Sequence, residues 1–135
     1  MCLTINKEAT RKFKTRKNVN PKVTVYKMLK YVYSIRSFEK ELVTPFQRQK
    51  IKAGWLEAIG EPEIKPNWHD EDAIHGGAIH VFQKKREVLT PNLLVKCWAY
   101  RKDLVAVGCD GDLAFKKIYI PQKELDAAVD ILNGV

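Results

Sequence analysis

Apolar positions fall in short alternating or continuous blocks along most of the chain, and a helical period appears only near its end. Val23-Thr-Val-Tyr-Lys-Met-Leu-Lys-Tyr-Val-Tyr33 is dense in β-branched and aromatic residues, which predicts a strand and the first core element. Ala78-Ile-His-Val-Phe82 reads as a buried strand with Ile79 and Val81 on one face and His80 and Phe82 on the other. Residues 93–100, 104–108 and 113–120 are also strand-forming, and Pro121 ends the last of them. Asp110-Gly111 is a tight-turn signal, so a hairpin is expected there. Leu125, Ala128, Val129 and Leu132 recur at helical spacing, which predicts a terminal helix over 122–132 that stops at Gly134.

The remaining stretches are less regular. Residues 1–5 fit a short strand, and 6–20 are polar apart from Phe13 and Val19, as in a loop or a fraying helix. Asn18-Val-Asn-Pro21 is a break, because Pro21 disfavours helix at Asn20. Residues 34–42 fit either a loop or a short helix, and 44–55 run through a turn at Pro45 into a short extended segment. Two prolines and five acids over 60–72 mark an irregular surface loop. The pattern as a whole predicts one α+β domain over 1–135, mostly antiparallel β-sheet with a C-terminal helix and one or two short helices. Residues 6–20 are a candidate flexible basic segment.

At 135 residues the chain is long enough to bury a substantial core. No apolar run approaches the roughly 18 residues of a membrane span, and the first 25 residues hold no signal core, so no membrane association and a cytoplasmic address are expected. The cysteines, Cys2, Cys97 and Cys109, are odd in number and form no zinc or disulfide framework. Cys97 reads as a buried strand residue and Cys109 as part of a turn, while Cys2 would be an N-terminal thiol nucleophile only if Met1 were removed.

Charge changes the picture more. The net +8 divides into +11 over residues 1–54 and −3 over 55–135. Lys7, Arg11, Lys12, Lys14, Arg16, Lys17 and Lys22 form a run with little acidic relief. Such a run binds phosphate backbones by releasing counterions; the plainer reading is a solvated or self-docking arm. Trp55 lies close in sequence to Arg48, Lys50 and Lys52, and aromatics interleaved with cations can stack bases while the cations hold phosphates. Aromatics in short strands are also ordinary core residues, and the chain has no RNP, KH or zinc-finger signature.

A second candidate site is the stretch His75-Gly76-Gly77-Ala78-Ile79-His80, where glycine amides and His80 would meet an anion or a nucleotide. Its plainer reading is a core histidine bonded to backbone. His69, Asp70, Asp72 and His75 match no ligand spacing for zinc or iron, so no metal and no cofactor are expected.

Gly76-Gly-Ala-Ile-His-Val-Phe82, followed by Gln83-Lys-Lys-Arg-Glu87, resembles the Gly-Ile-His-Phe-Phe or Gly-Phe-His-Ala type motif of small uncharacterised bacteriophage and bacterial domains, some of them joined to pentapeptide repeats. Residues 94–108 and 113–121 are similar to that family's two following strands, with Cys109-Asp-Gly-Asp112 as the polar turn between them, so the resemblance covers about residues 74–121. It implies an architecture and a phage or bacterial setting, and no established activity travels with it. The family's helix after the motif would be cut short here by Thr90-Pro91.

Three functions follow as expectations. The first is an accessory protein that acts by binding, with nucleic acid or another polyanion as partner. The second is a nucleotide-handling enzyme with an ADP-ribosyltransferase-like split sheet, using Tyr26, His75 and His80 beside a phosphate cradle at Gly76 and Gly77. For that chemistry neither Glu87 nor Glu124 sits in a recognisable motif. The third is an inhibitor that binds a protein partner.

Overall fold

The computed structural model describes residues 3–33, 40–43, 51–67, 69, 71–88 and 92–132. In chain order the elements are β1 (Leu3–Thr4), α1 (Lys7–Thr15), β2 (Lys22–Tyr33), β3 (Lys40–Val43), β4 (Gly54–Glu57), β5 (Glu63–Pro66) and β6 (Asp72–Gly76). They continue with β7 (Ile79–Val81), β8 (Asn92–Tyr100), a 3-10 turn (Arg101–Asp103), β9 (Leu104–Val107), β10 (Leu113–Phe115), β11 (Lys117–Ile120) and α2 (Gln122–Leu132). The architecture is α+β and mostly antiparallel sheet, as the apolar pattern predicts. Among the described residues no helix is long and apolar enough to cross a membrane.

The β-branched run at β2 pairs with β8 from Lys22↔Tyr100 to Lys30↔Asn92, and this ladder is the spine of a five-stranded sheet ordered β3-β2-β8-β11-β4. A second sheet has the order β7-β10-β9, and a third has β1-β6-β5. The stretch 113–120 is not one straight strand. It bends at Lys116, so β10 serves the second sheet and β11 the first. Tyr26 and Phe82 exchange two backbone hydrogen bonds of 2.9 and 2.8 Å, which attach the end of β7 to the free edge of β2. Strands β11, β8, β2, β7 and β10 are thus linked in a ring, by the bend at Lys116 on one side and by the single Tyr26–Phe82 bridge on the other, which gives a small barrel-like arrangement.

Alternation along the strands fills the barrel. Val25 and Leu29 from β2, Val95, Cys97 and Ala99 from β8, Val81 from β7, Leu113 and Phe115 from β10, and Ile118 and Ile120 from β11 all point inward and are buried. Leu125 and Ala128 of α2 join this core, whereas Val129 stays exposed. Lys27 also points inward and is buried.

The polar segment at 6–20 holds a true helix. Asn6 caps it, its Oδ1 accepting from the Ala9 amide at 3.0 Å. The Thr10 hydroxyl accepts from the Val107 amide at 2.9 Å, and the Asn6 amide donates to the Val107 carbonyl at 2.8 Å. Helix α1 thereby covers the edge of β9 that β10 leaves unpaired, while Ala9 and Phe13 pack on the core. A second difference from the expected pattern lies in 60–72, where Glu63–Pro66 forms edge strand β5 against β6. An edge is where a strand tolerates Pro66.

Candidate nucleic-acid interface

Inward alternation leaves a complementary set of side chains on the outer face of the five-stranded sheet. The register places Trp55 opposite Tyr119, Tyr119 opposite Trp98, and Trp98 opposite Thr24. One step along the sheet, Lys22 lies opposite Tyr100 and Tyr26 opposite Lys96. Their chain neighbours Leu56, Ile118, Ile120, Cys97, Ala99 and Val25 are buried, so this row faces away from the core.

Four rings meet there. Trp98 stacks on Tyr119 with centroids 4.9 Å apart, and Trp55 lies over Tyr100 at 5.9 Å. Trp55 meets the edges of Trp98 and Tyr119 at 5.3 Å each, and Trp98 meets Tyr100 at 5.2 Å. Three ammonium groups lie against the rings: Lys22 Nζ is 4.4 Å from the Trp98 centroid, Lys117 Nζ 4.8 Å from Trp55 and Lys102 Nζ 5.4 Å from Tyr100. Trp55 keeps 44% of its surface exposed, an unusual degree for so large an apolar residue. A planar π-face beside a movable cation suits a ligand that presents flat rings and negative charge together.

No protein-family model, curated protein or solved structure matches this chain.

The sequence-predicted cations divide between two places. Lys22 and Trp55 belong to the ring cluster. Lys7, Arg11, Lys12 and Lys14 lie on α1, with Arg16 and Lys17 exposed just after it. Lys7 pairs with Asp72 at 3.0 Å and Lys12 with Glu8 at 3.1 Å, so part of that charge is already offset on the surface. The end of α1 reaches the 3-10 turn after Tyr100, where the Arg101 guanidinium lies 4.5 Å from the Phe13 ring centroid. Lys52 is exposed shortly before β4, and Arg48 and Lys50 lie outside the described residues. The residues that sequence reasoning missed are Trp98, Tyr100, Tyr119, Lys102 and Lys117. Their signal was the every-other-residue spacing Lys96, Trp98, Tyr100 and Lys117, Tyr119, which puts rings and cations on the face opposite the buried residues.

The glycine-histidine stretch is spread over two sheets. His75 is exposed on β6 and His80 is half-buried on β7. His80 Nε2 lies 3.1 Å from Asp112 Oδ2, and the Asp112 carboxyl is held above its ordinary range chiefly by burial, with the hydrogen bond to His80 acting the other way. Gly77 has φ +74°, and a Cβ there would lie 1.9 Å from the Glu61 carbonyl oxygen. This glycine serves a close approach between two segments of the chain. Tyr26 pairs with Lys96 and Phe82 in the sheet. Among the described residues no three histidine, cysteine or carboxylate side chains converge as metal ligands.

Proposed function

We propose that the protein binds single-stranded nucleic acid on the outer face of its five-stranded sheet. Bases stack on the cluster of Trp55, Trp98, Tyr100 and Tyr119, and Lys22, Lys102 and Lys117 neutralise the phosphates between them. The observation that carries this reading is the convergence of four rings from three strands with three ammonium groups resting against them. Single strands fit because their base faces are available for stacking, whereas a duplex hides them. The cations at the end of α1 add attraction that is indifferent to sequence and sensitive to salt. The action is occupancy of the strand, as suits a small phage-type or bacterial accessory protein.

The test is fluorescence anisotropy of labelled single- and double-stranded DNA and RNA at about 50 and 200 mM salt. Single strands are expected to bind more tightly than duplexes and to lose affinity steeply with salt. Trp98→Ala and Tyr119→Ala should each weaken binding by about 5- to 100-fold, the worth of one stacked base. Reversing charge at Lys12, Lys14, Arg16 and Lys17 should weaken all strands alike. Ring variants that bind as tightly as the parent would overturn the assignment.

A further inference from the structure

The ring cluster does not end at β8. On the same outer face Tyr26 of β2 pairs with Lys96, and Phe82 exchanges both backbone bonds with Tyr26. Directly opposed residues of an antiparallel pair share a face, so Phe82 continues the aromatic row beyond β2. The chain after Phe82 reads Gln83-Lys-Lys-Arg86, and the Arg86 guanidinium lies 4.6 Å from the Phe82 ring centroid, repeating the ring-with-cation arrangement of the cluster. A groove of about 480 Å³ opens there between residues 82–86 and 110–112.

Two carboxylates, Asp110 and Asp112, also line this groove, and each holds a hydrogen bond. Asp112 bonds to His80, and Asp110 Oδ1 accepts the Asp112 amide at 3.1 Å. Lys84, Lys85 and Arg86 outnumber these two carboxylates, so the lining presents a net positive charge to an incoming phosphate.

We infer that the groove is a second subsite for the same single strand, which runs from Trp55 across the sheet over Tyr26 and ends with a base on Phe82 and its phosphates on Lys84, Lys85 and Arg86. The inference rests on the nucleic-acid reading of the ring cluster. Four strand spacings separate β4 from β7 along this path, or about 19 Å. That span fits a site of about four to six nucleotides, near the short end for single-strand binding sheets.

The experiment is anisotropy with thymidine oligomers of roughly three, six and twelve nucleotides, comparing the wild-type protein, Trp98→Ala, and the double variant Phe82→Ala/Arg86→Ala. Wild type is expected to bind the six-nucleotide strand at least about tenfold more tightly than the three-nucleotide one. The double variant should lose that gain while holding the three-nucleotide strand as wild type does, and Trp98→Ala should weaken every length. Lys84→Glu/Lys85→Glu, which leaves the apolar packing of Phe82 in place, should abolish the same gain. A double variant that keeps the full length dependence overturns the second subsite and leaves the ring cluster standing. A wild-type protein that binds no oligomer overturns the nucleic-acid reading itself.

Discussion

Lys27 offers the sharpest test of the core. Its side chain points into the barrel with 7% of its surface exposed, and Nζ donates to the His80 carbonyl at 3.0 Å. Burial pushes its amine down from 10.5 to about 8, against a weaker opposing influence from Cys97. In the unfolded chain the amine binds its proton up to about 10.5, whereas in the folded protein it releases it near 8. The unfolded state therefore holds more protons between those values, and stability from this group rises with pH across that window. At about 1.4 kcal/mol per pH unit the displacement corresponds to roughly 3 kcal/mol of instability at pH 7. Lys27→Met removes this penalty and loses one hydrogen bond worth about 1 kcal/mol. The variant should be more stable than wild type by about 2 kcal/mol at pH 7 and less stable by about 1 kcal/mol near pH 10.5.

Cys97 acts in the opposite direction. Burial pushes its thiol up to about 12, so its contribution is complete below 9 and is lost as pH rises from there. Both proteins carry Cys97, and its effect cancels to first order in their difference. Urea midpoints measured for the pair from pH 7 to 10.5 give that difference directly. A difference that stays flat over the range would refute the buried, displaced amine.

Two further expectations are simpler. Gly77→Ala places a Cβ 1.9 Å from the Glu61 carbonyl in a left-handed backbone, and should destabilise by about 2–4 kcal/mol in thermal denaturation. Gly76→Ala, which meets nothing within 4 Å, is the control, and equal melting temperatures for the two would contradict the close approach. Cys109 is exposed and Cys97 buried, so iodoacetamide at about pH 8 should alkylate Cys109 in the native protein and Cys97 only after denaturant is added. Equal labelling rates by mass spectrometry would rule that out.

The elements legible in the sequence are those whose signal is local. The β-branched run of β2, the Asp110-Gly111 turn with Gly111 at φ +87°, and the spacing of Leu125 and Ala128 each encode their own structure. Helix α1 was ambiguous because its anchors are remote: Thr10 bonds to Val107, 97 residues away, and Phe13 stacks under Arg101. Strand β5 was hidden by Pro62 just before it and by Pro66 at its end, which an edge position accommodates. In the candidate site Trp55 and Lys22 stood out beside basic residues. Trp98 and Tyr119 did not, since only the pairing of β4, β11 and β8 brings them to Trp55. Residues on the outer face of a strand show themselves only when its inner face is known.

The pairing of Lys22 with Tyr100 spans 78 residues, and it sets a condition on how the protein is made. During translation at about 5–20 residues per second, β2 waits several seconds or more for β8, with its edges open to other chains. The barrel then closes only when the bent segment β10–β11 has emerged, because that segment completes both sheets. Tyr119, which joins Trp55 to Trp98, arrives at the same moment. A nascent chain thus carries the basic residues of α1 and β2 long before it carries the assembled ring cluster, and that cluster forms in the same step that buries the core.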